Sequence, residues 1–146
     1  LIVGKLCYCI SVKLLIGCAM VELRECKMLV RYKKALEKIA MGLISLMPQE
    51  KDIKRLMETI QQYEQNENWT LFLWKNGEEY VGAIGIAEEN DAAVVQHITV
   101  IPSYRGEGVA LEMLHELRNM GYEHIQANED TSAFVQKCIP ILKEVD

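Results

Sequence analysis

A short segment with two glycines is the part of this sequence that could do chemistry. Residues 105–110 read Arg-Gly-Glu-Gly-Val-Ala, directly before a predicted helix. Glycines let the backbone turn sharply and let a ligand approach the amide groups. The first turn of a helix adds unpaired N–H groups and a partial positive charge. Together these features predict a phosphate-binding site at Arg105–Ala110, and an ordinary glycine loop before a helix is the alternative.

Two common phosphate-binding loops are excluded at this segment. A loop of the Walker type needs Gly-Lys-Ser/Thr, but Gly108 is followed by Val109 and Ala110. A dinucleotide-binding fingerprint needs a third glycine three residues after Gly108, where Leu111 stands. The predicted phosphate site therefore belongs to neither class.

The elements on both sides of the loop follow from hydrophobic periodicity. A strand over 93–101 ends at Pro102, and a helix begins near Val109. The core side of that helix is expected to consist of Ala110, Met113, Leu114, Leu117 and Met120. The loop is thus expected to connect the end of a buried strand to the start of an amphipathic helix.

The preceding chain predicts a strand at 29–32, two amphipathic helices, and strands at 69–74 and 80–86. The turns contain Asn76-Gly77 and the polar run 88–91, so antiparallel pairing is expected. On the second helix the apolar residues Ile53, Leu56, Met57 and Ile60 are expected to face the core, and Glu50, Lys54, Arg55 and Glu58 to lie on other faces. The predicted fold class is α+β.

Composition limits the class of protein further. The 146 residues are 50% apolar and 25% charged, which is typical of one folded domain. The net charge of −5 argues against a general nucleic-acid binder, because a basic surface is missing. Five cysteines are an odd number, which argues against a fully paired disulfide scaffold.

Residues 1–27 differ from the rest of the chain. They hold four of the five cysteines, and Lys13 interrupts their longest apolar stretch, which is too short to span a bilayer. A lipoprotein-like signal at Leu15–Cys18 and an additional N-terminal strand or helix are two interpretations. We favour a third, that 1–27 is an apolar, Cys-rich leader outside the natural protein and that the domain covers 28–146. Cys138 would then be the one thiol, in a reduced cytoplasmic setting without membrane contact.

Residues 105–110 match the Arg/Gln-x-x-Gly-x-Gly/Ala motif of the GNAT family of acyl-CoA-dependent N-acyltransferases. The order of predicted elements from residue 28 to about 138 also resembles that family. The resemblance implies a GNAT fold with a central, mostly antiparallel, twisted sheet flanked by helices, here truncated at the C-terminus. Several segments look more closely like the acetyltransferase-like protein of bacterial riboflavin-synthesis operons, namely 31–34, 37–43, 47–48, 50–52 and 71–75.

The resemblance implies acetyl-CoA as cosubstrate and assigns roles by position. The loop amides with Arg105 would hold the pyrophosphate, and the strand edge 98–100 would bind the pantetheine arm. Asn128 would lie beside that arm, Phe134 on the last helix against the cosubstrate, and the Glu107 side chain in solvent. The cosubstrate-binding residues so assigned are Ile98, Thr99, Val100, Arg105, Gly106, Glu107, Gly108, Val109, Ala110, Asn128 and Phe134.

The proton-transfer residues that many relatives use are missing here. Val94 stands where many relatives have a Glu, and Val135 stands where many have a Tyr. His97 is a catalytic candidate because imidazole can titrate near neutrality. Strand parity places it on the opposite face from Val94 unless a bulge intervenes. The catalytic residues are otherwise unknown.

Other polar residues are candidates for the cleft that would contain the predicted cosubstrate site. Tyr104, Glu88, Glu89 and Asp91 are expected to border it, and Cys138 is expected to be buried rather than nucleophilic. The histidines His97, His115 and His124 show no metal-ligand spacing, so no metal is expected. Pro140 is expected to interrupt the last helix. The residues after Pro140 are too few for the final two strands of the family, so either a partner subunit in a homodimer supplies the missing wall of the cleft or the site is open.

Two functions follow from this interpretation. The first is transfer of an acetyl group from acetyl-CoA to a small-molecule or peptide amine by direct attack, and the acidic net charge favours a cationic acceptor. A link to riboflavin synthesis is implied only by the operon resemblance. The second is a CoA-binding regulatory or scaffolding protein that has lost catalysis, which Val94 and Val135 favour.

Overall fold

The structure, a computed structural model, describes residues 26–145, with side chains up to Cys138. The predicted leader therefore lies outside the described residues, apart from Cys26 and Lys27. Lys27 begins the first strand, β1 (Lys27–Arg31). The remaining strands are β2 (Trp69–Asn76), β3 (Glu79–Glu89), β4 (Ala92–Val100) and β5 (Ile125–Ala127).

Four α-helices connect and cover these strands within residues 26–145. They are α1 (Glu37–Ile44), α2 (Ile53–Gln65), α3 (Val109–Asn119) and α4 (Ser132–Val145). Short 3-10 turns stand at Lys34–Leu36, Pro48–Glu50 and Pro102–Tyr104. Among these described elements no helix is long and apolar enough to cross a membrane.

The five strands form one sheet in chain order, β1-β2-β3-β4-β5. The first four pair antiparallel, and β5 pairs parallel to β4. The Asn-Gly turn between β2 and β3 contains Gly77 at φ +65°, a value that glycine adopts readily. The predicted α+β class with a mostly antiparallel sheet is confirmed.

Both faces of the sheet are covered, and β2 shows why its sequence is apolar throughout. Successive strand side chains point to opposite faces. Leu71 and Leu73 pack with α1 and α2 on one face. Phe72 and Trp74 pack with α3 and α4 on the other. A strand buried on both sides reads as a continuous apolar run instead of an alternating one.

The apolar stripe of α2 lies slightly off its predicted centre. Leu56 and Ile60 are buried together with Tyr63, but Ile53 is 65% exposed and Met57 is 51% exposed. Spacings of three and four residues place the buried row on 56, 60 and 63, so that Ile53 and Met57 fall at its edge. The prediction that these two residues belong to the core is wrong.

Two further predictions about helices are corrected. Met120, expected in the core, is exposed because it follows the last residue of α3. Pro140 does not interrupt the last helix, since α4 continues through it to Val145. A proline inside a helix removes one backbone hydrogen bond and can kink the helix without ending it.

Candidate active site

The segment Arg105–Ala110, called the glycine loop below, has the geometry that an anion site requires. Gly106 has φ +85° and Gly108 has φ +80°, in the left-handed region that favours glycine. A Cβ atom built on either glycine would meet no atom within 4 Å. Helix α3 begins at Val109, directly after Gly108. The first turn of a helix has unpaired N–H groups, and the first residues of α3, Val109 and Ala110, line the same open space as the two glycines.

The loop is held to the end of β4 by one side chain. Arg105 Nε donates a hydrogen bond to the Val100 carbonyl oxygen over 3.0 Å. This contact links the glycine loop to the last residue of β4. The rest of the Arg105 side chain is exposed beside the loop.

A first cavity of about 600 Å³ adjoins the glycine loop and brings together most of the predicted cosubstrate residues. The predicted residues that line it are Ile98, Thr99, Val100, Arg105, Gly106, Gly108, Val109, Ala110 and Phe134. Glu107 is exposed outside it, and Asn128 lines a neighbouring cavity instead. The Thr99 Oγ1 atom is buried and has no hydrogen-bond partner in the described part of the chain.

Strands β4 and β5 separate beside this cavity. Their pairing covers only three residues and ends at Val95 opposite Ala127. The next position is bridged by side chains, because Asn128 Nδ2 donates to Gln96 Oε1 over 3.1 Å. Along 98–100 the edge of β4 that faces away from β3 pairs with no strand among the described residues. An extended ligand could hydrogen-bond along this free edge as an additional strand does.

A β-bulge in β4 changes where His97 points. Val95 pairs with Ile86, but His97 pairs with the preceding residue, Gly85, so that Gln96 is an extra residue. A bulge of this kind reverses the alternation of faces after it. His97 therefore lies on the same sheet face as Val94, because the bulge that the parity prediction named as its exception is present.

The imidazole of His97 is the centre of a buried hydrogen-bond network. Its Nδ1 atom lies 2.5 Å from Tyr63 Oη, and its Nε2 atom lies 3.1 Å from Glu50 Oε1. His97 is 5% exposed, and Glu50 is 2% exposed. A neutral imidazole satisfies both partners when Nε2–H donates to the Glu50 carboxylate and the Tyr63 hydroxyl donates to Nδ1.

Glu50 is held by further groups and was missed by the sequence analysis. Thr59 Oγ1 donates to Glu50 Oε2 over 2.9 Å, and Arg55 Nε lies 3.5 Å from Glu50 Oε1. The expectation that Glu50 lies on an outer helix face is wrong, because it ends the 3-10 turn before α2 and is directed into the protein. In the nearby sequence, only Pro48 indicates that Glu50 belongs to a turn and not to a helix face.

Burial sets the protonation states in this network. Burial lowers the pKa of His97 below its ordinary value, and the Glu50 carboxylate opposes that change only in part. Burial also raises the pKa of Tyr63 well above its ordinary value, and the charge of Glu50 adds to the effect. At neutral pH His97 is therefore neutral and Tyr63 keeps its proton.

The stabilising contribution of His97 should disappear in acid. Because its pKa is lowered in the folded chain, the unfolded chain binds more protons below about pH 6.5, and acid favours unfolding. The difference in unfolding free energy between wild type and His97→Gln should be largest above about pH 7 and shrink towards about pH 5. Urea unfolding at a series of pH values measures it. A difference that grows on acidification would mean that Glu50 outweighs burial.

A second, more polar cavity of about 270 Å³ lies on the His97 side of β4. Its lining residues are Glu50, Arg55, Glu58, Thr59, Gln62, Trp69, Gln96, His97, Asn128 and Asp130. Asp130 also lines the first cavity, so the two cavities meet at the turn between β5 and α4. The bulge residues Gln96 and His97 line the second cavity, and the next residue, Ile98, lines the first.

The remaining candidate residues divide between the first cavity and other places. Tyr104 lines the first cavity and donates its hydroxyl to Glu79 over 2.9 Å. Glu88 and Asp91, expected at the same cleft, instead line a third cavity at the β3–β4 turn. Cys138 is buried, which raises the pKa of its thiol and keeps it unreactive. Among the described residues no three His, Cys, Asp or Glu side chains are grouped to hold a metal ion.

Comparison with known proteins gives a consistent result. A family model described as the acetyltransferase (GNAT) family matches residues 37–138. An uncharacterized N-acetyltransferase from the lysA 3′ region of Bacillus methanolicus is 49% identical over 113 residues, which cover 76% of this chain and 94% of that relative.

Solved structures resemble the fold at lower sequence identity. The aminoglycoside N-acetyltransferase AAC(6′)-Iy in complex with CoA has a TM-score of 0.63 at 15% identity, over 80% of this chain and 86% of that chain. An acetyltransferase from Thermus thermophilus has a TM-score of 0.59 at 18% identity, over 76% and 84%. At these identities the similarity shows the fold alone.

Proposed function

This chain belongs to the acetyltransferase (GNAT) family, and from that premise we propose that it transfers the acetyl group of acetyl-CoA to an amine. The observation that carries the proposal is the open glycine loop at the start of α3, which adjoins a cavity beside the free edge of β4. Attack by the amine is direct, without a covalent enzyme intermediate. The AAC(6′)-Iy structure with bound CoA supports the choice of cosubstrate.

The described residues fit the parts of acetyl-CoA. The amides of the glycine loop and of the first turn of α3 would receive the pyrophosphate, with Arg105 beside them. The free edge of β4 at Ile98–Val100 would pair with the amides of the pantetheine arm. Phe134, which is 41% exposed on α4 and lines the same cavity, would contact the arm. Thr99 also lines this cavity, and its buried Oγ1 atom has no hydrogen-bond partner among the described residues.

The proposal also covers the acceptor, the biological role, the location and the partners of the protein. The acceptor would be a cationic amine, because the chain carries 21 acidic residues against 16 basic ones. The resemblance to RibT of bacterial riboflavin operons supports a role near riboflavin synthesis. A cytoplasmic location, the lack of nucleic-acid and membrane partners, and a homodimer are proposed with it.

Titration of the protein with acetyl-CoA tests the cosubstrate. Calorimetry should show saturable binding well below about 1 mM ligand, and saturating ligand should raise the free energy of unfolding by about 2–3 kcal/mol. Coenzyme A without the acetyl group should bind similarly, since the pyrophosphate and pantetheine contacts are the same. Adenosine alone, which lacks both parts, is the control and should bind weakly. No heat and no stabilisation at about 1 mM acetyl-CoA would contradict the proposal.

A CoA-binding protein without catalysis is the second candidate. It is favoured by Val94 and Val135, because the positions where many relatives have acid–base residues are apolar here. A thiol-release assay over a panel of primary amines separates the two candidates. Release above the rate without amine supports the enzyme, and binding without release at any amine supports the second candidate.

A further inference from the structure

The second cavity carries a more specific inference, which rests on the proposed acetyl transfer. We propose that this cavity is the acceptor site, that it takes a small amine with two positive charges, and that Glu50 accepts the proton that the attacking amine loses. His97 is then a positioning residue that holds the Glu50 carboxylate. The position on β4 where many relatives have a Glu is occupied by Val94, so another residue has to take the proton.

The position of the cavity supports an acceptor site. The first cavity contains the glycine loop and the free edge of β4, where the cosubstrate is expected. The second cavity adjoins it at Asp130, and consecutive residues of β4, His97 and Ile98, line the two. An amine in the second cavity is therefore next to the place where β4 and β5 separate, and we propose that the thioester lies there. The third cavity shares no lining residue with the first.

The charge of the cavity indicates the class of acceptor. Three carboxylates line it, from Glu50, Glu58 and Asp130, against one guanidinium, from Arg55. With His97 neutral, the lining carries two net negative charges. Glu58 and Asp130 are exposed at the cavity, whereas Glu50 is buried. An acceptor with one ammonium group near Glu50 and a second near the exposed carboxylates compensates this charge.

Counting hydrogen bonds identifies which group can take a proton. Both nitrogen atoms of His97 are occupied, because Nε2–H donates to Glu50 and Nδ1 accepts from Tyr63. The imidazole therefore has no free lone pair towards the cavity. The two oxygens of a carboxylate accept about four hydrogen bonds, and those of Glu50 receive contacts from His97, Thr59 and Arg55. One acceptor position remains on a carboxylate that lines the cavity.

The chemical step balances with this assignment. The ammonium group loses one proton to the Glu50 carboxylate and becomes a free amine, whose lone pair attacks the thioester carbonyl carbon. The C–N bond forms and the C–S bond breaks, which releases the CoA thiolate. The nitrogen then loses a second proton, which the thiolate takes up to become the thiol. The proton on Glu50 returns to solvent, so the reaction releases one proton overall.

Acceptor charge is tested with three probes of equal length at saturating acetyl-CoA. They are 1,5-diaminopentane, 1-aminopentane and 5-aminopentanoate, which carry two, one and zero net positive charges. Thiol release should give kcat/KM at least about tenfold higher for the diamine than for either other probe. The double variant Glu58→Gln with Asp130→Asn should remove most of that preference. Equal rates for the three probes would overturn the assignment.

The role of Glu50 is tested by Glu50→Gln, whose amide oxygen can still accept from His97 while its NH2 group donates to the Thr59 hydroxyl. With the diamine at about pH 7.5, kcat should fall by about 10²–10³-fold, and the KM for acetyl-CoA should stay within about twofold. The loss should shrink above about pH 10, where the free amine predominates. Glu67→Gln, an exposed site after α2, is the matched control and should behave as wild type. Unchanged kcat in Glu50→Gln would overturn the role.

His97→Gln distinguishes positioning from proton transfer. It should lower kcat by less than Glu50→Gln does and should keep the wild-type pH profile, because Glu50 remains able to accept the proton. A pH-independent rate in this variant would make His97 the base instead. Calorimetry with acetyl-CoA on every variant, together with the panel of primary amines, separates failure of this inference from failure of the proposed function. Thiol release from other primary amines but from none of the three probes overturns this inference alone, whereas lost binding in the wild type overturns the proposed function.

Discussion

Gly108→Trp is expected to abolish measurable acetyl-CoA binding while the protein stays folded. The Cβ of residue 108 would project into space that is free of atoms within 4 Å, where the cosubstrate phosphates are proposed to lie. An indole there blocks the N–H groups of the first turn of α3, including that of Val109. The dissociation constant should rise by more than about 100-fold, which corresponds to about 2.7 kcal/mol, as measured by calorimetry.

The fold should survive this substitution. A residue other than glycine at φ +80° costs about 1–2 kcal/mol, against a typical domain stability of about 5–15 kcal/mol. Gly121→Trp is the matched control. Gly121 has φ +112°, a Cβ there also meets no atom within 4 Å, and it lies at the opposite end of α3. It should lose similar stability and keep wild-type affinity. Equal loss of affinity in both variants would show that the effect is indirect.

Gly85→Ala should be the most destabilising single methyl addition at the described glycines. A Cβ at this position would overlap the Oη and Cζ atoms of Tyr63 and would lie 2.8 Å from its Cε1 atom. The buried tyrosine must move, which breaks its hydrogen bond to His97 and leaves a buried imidazole nitrogen unsatisfied. Overpacking and the lost hydrogen bond together should reduce the free energy of unfolding by about 2–5 kcal/mol, as measured by urea denaturation.

Gly42→Ala is the contrasting control for the same chemical change. Gly42 lies inside α1, and an added Cβ there meets no atom within 4 Å. Alanine is favoured over glycine in a helix interior, so this variant should gain about 0.5–1 kcal/mol. The two glycines are thus predicted to respond with opposite signs. A neutral result at Gly85 would mean that Tyr63 can move aside without losing its contacts.

The parts of the site formed by neighbouring residues in the sequence could be predicted, and the parts formed by distant residues could not. The glycine loop is a local pattern, and the structure places its glycines at positive φ before a helix, as the residue types require. The face occupied by His97 depends instead on a bulge opposite Gly85 in another strand. Strand parity read from β4 alone cannot detect an extra residue defined by the pairing.

Glu50 is a second residue whose position could not be predicted, in this case because it is a buried charged residue. A glutamate beside Lys51 and Asp52 reads as a solvated residue, because isolated buried charge is costly. Its burial depends on His97, which is 47 residues away in the sequence, and on Thr59, in the second turn of α2. Only the tertiary structure reveals that compensation. The burial of a polar residue at the end of a short turn is therefore decided by partners that are distant in the sequence.

The chain-order arrangement of the sheet also has a consequence for how the chain folds. Strands β2, β3 and β4 are joined by tight turns, and closing a short loop costs little conformational entropy. This meander can form early from nearby contacts. The two cavities depend on later, more distant closures, since α3 separates β4 from β5, and α2, β2 and β3 lie between Glu50 and His97 in the chain. The part of the molecule that contains the two cavities is thus expected to form after the β2–β4 meander.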